Sequence, residues 1–95
     1  MAVWLRKDYG RGSYSEVFDR LEKLLTTTGR HQEILMVAER GEVRPLEMVV
    51  YIWFANENLA ALFPEFERSE RPSSPRPIPL ISDARLYEQI FPNAS

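Results

Sequence analysis

The chain has 95 residues, with 44% hydrophobic and 27% charged content and a formal net charge of −2. That length supports one core, with 1–95 as a single domain, and the near-average composition excludes a disordered tail or a fibrous repeat. Zero cysteines exclude disulfide staples, zinc knuckles and thiol catalysis, and a pI near 5.4 excludes a strongly basic nucleic-acid coat.

At the N-terminus, residues 1–7 lack a leading basic stretch and an apolar h-region, so no secretory signal is expected and the location expected is cytoplasmic. Trp4, Arg6, Lys7, Tyr9 and Arg11 interleave cations with aromatics, a composition that can stack on bases and pair with phosphates. Residues 9–15 follow, with Gly10, Gly12, Ser13 and Ser15 ahead of a helix. Such a lead-in can turn N–H groups towards an anion, but its spacing matches no phosphate-binding fingerprint, and a plain serine-capped lead-in is the weightier reading.

The first helix is expected from Ser13 or Ser15 to about Thr27. Ser13 and Glu16 have capping-box spacing, Val17, Phe18, Leu21, Leu24 and Leu25 form one stripe, and Gly29 supplies a left-handed stop. Residues 31–40 place Ile34, Leu35, Val37 and Ala38 on one side of a helical wheel, and their propensities favour a second helix. A third is expected from Pro45, a good first helical residue, to Phe63, stopped at Pro64. Its centre, Met48-Val49-Val50-Tyr51-Ile52-Trp53-Phe54, is β-branched and aromatic, so as a helix it must be buried nearly all round.

The fold class expected is therefore mainly α, a small bundle of three to four helices. The alternative is α+β with a small antiparallel sheet, in which 34–38 and 48–54 become strands joined by 39–45, with 2–5 and 78–81 as further strands. Residues 67–80 read as a linker-like crossing segment, because prolines at 72, 75, 77 and 79 break any hydrogen-bonded ladder. Ser82 then caps a short last helix, 83–91, whose face of Leu86, Tyr87, Ile90 and Phe91 needs a surface to cover.

Residues 34–47, Ile-Leu-Met-Val-Ala-Glu-Arg-Gly-Glu-Val-Arg-Pro-Leu-Glu, resemble the opening of winged-helix regulators, where a helix ends in Gly and the next begins with Leu-Glu. The resemblance implies a basic recognition helix and a β-wing. Here the continuation, 48–55, is apolar and then acidic, so no family is assigned.

Chemistry is sparse. His31 is the only histidine, no serine has a nucleophile context, and the carboxylate pairs lie in charge-rich stretches, so neither an enzyme, a cofactor nor a metal is expected. The function expected is a small soluble interaction protein that binds and regulates or inhibits a larger partner, with self-assembly compatible. Contact is assigned to the aromatic block, the acidic middle and the last helix: Tyr51, Trp53, Phe54, Glu57, Glu65, Glu67, Tyr87 and Phe91. The partner expected is a protein with a basic surface; no membrane contact is expected, since the longest apolar stretch is eight residues, 48–55. The second reading is a nucleic-acid-binding regulator that uses Arg6, Lys7, Arg11, Arg40 and Arg44.

Overall fold

Residues Met48–Phe54, apolar in every helical direction, form a strand. The computed structural model describes residues 1–41 and 47–92. In chain order its elements are β1 (Val3–Gly10), α1 (Ser15–Thr28), β2 (Ile34–Arg40), β3 (Met48–Phe54), α2 (Glu57–Ala60), β4 (Glu67–Ser69), β5 (Ile78–Ile81) and α3 (Ala84–Ile90). The strands make one five-stranded sheet in the order β4-β1-β3-β2-β5, with every neighbouring pair antiparallel.

This overturns the expectation of a mainly helical bundle: the fold is α+β, and only 29% of it is helical. The physical reason lies in β2 and β3. Ile34, Leu35, Met36, Val37 and Ala38 are all buried, as are Val50, Tyr51, Ile52 and Phe54. A central strand covered on both faces shows no apolar–polar alternation, so it reads as a continuous apolar run. The same run on a helical wheel looks like a helix buried all round. β-Branched and aromatic content was the discriminating signal, and it outweighs the helix propensity of the flanking glutamates.

The register assigns the side chains to two faces. Leu5, Met36 and Ile52 share one face with Phe54, Ile34 and Val50, and pack against Val17, Leu21 and Leu25 of α1 and against Ala60, Phe63 and Phe66. Leu35, Val37 and Tyr51 point to the opposite face, where Leu86, Tyr87 and Phe91 cover them and Trp4 and Trp53 flank them. The last helix thus folds back over its own sheet.

Smaller expectations are also corrected. α1 begins at Ser15 behind Tyr14, which makes no side-chain cap; the Ser13 hydroxyl accepts from the Ser15 N–H instead of closing a box with Glu16. Gly29 does sit in the left-handed region, at φ 69°, and its N–H donates to the Leu25 carbonyl. Asp83, not Ser82, caps α3, accepting from the N–H groups of Arg85 and Leu86. Residues 67–80 are not a plain linker: they contain β4 and the first three residues of β5, the two edge strands, and Pro79 is tolerated in β5 beside a register shift opposite Val37. The winged-helix expectation fails with the helices, since 34–40 and 48–54 are paired strands. A helical start at Pro45 lies outside the described residues.

Candidate interaction surface

The aromatic block supplies core. Phe54 and Phe91 are fully buried, Tyr87 and Tyr51 nearly so, and Trp53 is half-buried against the α3-side cluster. Trp4 meets Tyr51 edge-on at 6.4 Å and Phe91 at 5.9 Å, while Phe54 stacks on Phe63 at 5.5 Å. Burial raises the Tyr51 phenol above its ordinary value, and Arg6 partly offsets this. Of the eight residues assigned to partner contact, Glu57, Glu65 and Glu67 are exposed.

Those three lie on α2, on the turn that follows it, and on the edge strand β4. Glu57 opens α2 and approaches Arg68 of β4 at 3.9 Å, an exposed pair. Glu65 is tied to Arg20 of α1, whose Nη2 also donates to the Leu62 carbonyl at 2.9 Å and whose guanidinium lies 4.6 Å from the Phe63 ring centroid. The Arg20 hydrogen bond holds the Glu65 carboxyl below the usual carboxylate range, and the same bond raises the arginine. Glu67 is exposed opposite Arg6 in the ladder. On the same stretch of chain Leu62 is 53% exposed, and a groove of about 310 Å3 runs past it, lined by Leu24, Phe63, Arg20 and Lys23.

The basic candidates are not gathered. Arg6 shares the α3-side face with Tyr51, whereas Lys7 pairs with Val50 and Arg40 with Met48 on the α1 side. Arg11 is exposed in the turn after β1, and Arg44 lies outside the described residues. Lys7 Nζ sits 5.4 Å from the Tyr9 ring, whose phenol is raised chiefly by burial. His31 is exposed in the turn before β2, and among the described residues no group of three His, Asp or Glu side chains could hold a metal ion.

A second polar assembly lies in the proline-rich strap between β4 and β5, where the sequence drew attention to the prolines and to no polar side chain. Glu39 Oε2 accepts from the Ser73 hydroxyl at 3.2 Å and from the Ser74 N–H at 3.1 Å. Arg76 donates to Glu88 at 3.0 Å and to the Phe91 carbonyl at 2.7 Å, and it lies over the Tyr87 ring. That pairing raises Arg76 and lowers Glu88. Arg71 lies over Phe91, and Pro72 and Pro77 are buried. Between the strap and the end of β2 is a cleft of about 550 Å3. Five-residue spacing of Arg71 and Arg76 matches no periodic element, so only the fold reveals that both meet α3.

No family model, curated protein or solved structure matches this chain. Among the described residues, no helix is long and apolar enough to cross a membrane.

Proposed function

We propose that this chain is a small interaction protein that binds a basic macromolecular partner and regulates or inhibits it. The contact surface proposed is the shoulder made by α2, the following turn and β4. One observation carries the reading: Leu62 is 53% exposed with a shallow groove beside it, and exposed Glu57, Glu65 and Glu67 lie on the same stretch of chain. An apolar centre with a charged surround is the usual anatomy of a protein contact; Arg20 and Lys23 line the groove itself, and the exposed acids along this stretch of chain favour a cationic partner and steer its approach. The cysteine-free composition suits a cytoplasmic setting.

The test uses a fluorescein-labelled basic peptide carrying one central leucine, titrated at several salt concentrations, with labelled duplex DNA in parallel. Saturable, salt-sensitive peptide binding that Leu62→Asp abolishes and Glu67→Lys weakens supports the reading. Absence of peptide binding at tens of micromolar overturns it, and tight DNA binding in its place moves the chain to the nucleic-acid class.

A further inference from the structure

The two faces of the sheet are filled by separate apolar clusters that share no residue. The α1 side holds thirteen buried residues, whereas the α3 side holds six, three of them from α3 and the Phe91 that ends it. Loss of α3 would therefore leave the larger core whole.

α3 has seven residues, too few to persist as an isolated helix, so it exists because it is docked. Burial of Leu86, Tyr87 and Phe91 on the sheet docks it, and its side-chain polar fastenings come from the strap. Arg76 holds Glu88 and the Phe91 carbonyl, Arg71 covers the Phe91 ring, and the Tyr87 hydroxyl donates to the Pro77 carbonyl at 2.6 Å. The Arg76–Glu88 pair is exposed on both sides. The strap is itself anchored to the sheet through Glu39. Only Ser82 and Asp83 separate β5 from α3, so the connection is short and any release pivots there.

We propose that α3 is a releasable cover, which undocks about residues 82–83 while the sheet and α1 stay folded, and that the floor it leaves accepts α3 of a second copy. The floor is Leu35, Val37 and Tyr51 with Trp4 and Trp53 at its rim. A second copy supplies the complementary helix by identity: exchange restores the apolar contacts and the strap bonds that opening breaks. Local opening of a small, separately packed unit costs less than global unfolding.

Hydrogen exchange on the full chain, read by mass spectrometry over a range of low urea, tests the opening. The amides of Tyr87 and Phe91 are expected to exchange with a shallow urea dependence, at least tenfold faster than those of Leu21 and Ile52. Arg76→Ala is expected to raise that opening roughly threefold or more and to leave α1 and β3 protection unchanged, which also reports that the variant is folded. In the same variant, light scattering is expected to show a concentration-dependent dimer, and a labelled peptide of residues 82–92 is expected to bind and compete with it. Exchange of α3 at the global rate overturns the cover, as does an Arg76→Ala chain that opens no more than the parent. Opening without either dimer or peptide capture overturns the docking floor. None of these readouts involves the basic peptide of the shoulder experiment, so the two readings fail separately.

Discussion

Arg20 and Glu65 lie forty-five residues apart in sequence and meet as an ion pair that joins the middle of α1 to the turn leading into β4. Because the same guanidinium also takes the Leu62 carbonyl and covers Phe63, one side chain ties the turn after α2 to the first helix at three points. The pair is about one-third exposed on each side, so solvent screening limits its worth.

Acid should loosen this joint. Arg20 lowers the folded Glu65 carboxyl, so at mildly acidic pH the unfolded chain binds more protons there than the folded one. The stabilisation is therefore complete above the unfolded carboxylate value, near pH 4.3, and is lost as pH falls through the folded one. Urea midpoints from pH 3 to 7 should show Glu65→Gln destabilised by a few tenths to about 1 kcal/mol at neutral pH, with the gap closing below about pH 4.

Two neighbours in β3 should respond unequally to truncation. Phe54 is fully buried and stacks on Phe63, so Phe54→Ala is expected to cost about 3–5 kcal/mol. Trp53 is half-buried at the rim of the α3-side cluster, so Trp53→Ala should cost distinctly less. Thermal and urea unfolding of both variants gives the comparison; equal losses would mean that Trp53 belongs to the interior.

At the end of α1, a Cβ on Gly29 would touch nothing within 4 Å, so space is not the constraint there. The positive φ is. Gly29→Ala should lose about 1 kcal/mol in urea denaturation, and Gly29→Asn, which tolerates the left-handed region, should lose less.

Removal of the Tyr87 hydroxyl leaves the Pro77 carbonyl without its buried donor. Tyr87→Phe should cost about 1 kcal/mol, measured as a lower melting temperature with the far-ultraviolet dichroism unchanged.

Helix α1 was legible because its partner is a single sheet face, which leaves a stripe that obeys the 3.6-residue period from Val17 to Leu25. The strands were not legible by period, since β2 and β3 bury both faces and β1 mixes Val3 and Leu5 with Arg6, Lys7 and Asp8. No tight-turn dipeptide joins any strand pair, so hairpin chemistry offered no correction. The exposed acids were visible as composition, but the link from Glu65 through Arg20 to the Leu62 carbonyl depends on the turn after α2. The strap contacts depend on pairings such as Glu39 with Ser73, thirty-four residues apart, which no local pattern encodes.

β1 and β2 both lie against β3 and never against each other. A growing chain that has emitted both therefore has two strands and no sheet. Hydrogen bonding of either waits for residues 48–54, and the remaining edges of each wait for 67–69 and 78–81. Until that central segment leaves the ribosome, β1 and the apolar run of β2 have no strand partner in their own chain. The interval between translation of residues 34 and 54 is the period in which a nascent copy is most exposed to capture by a chaperone or by another copy.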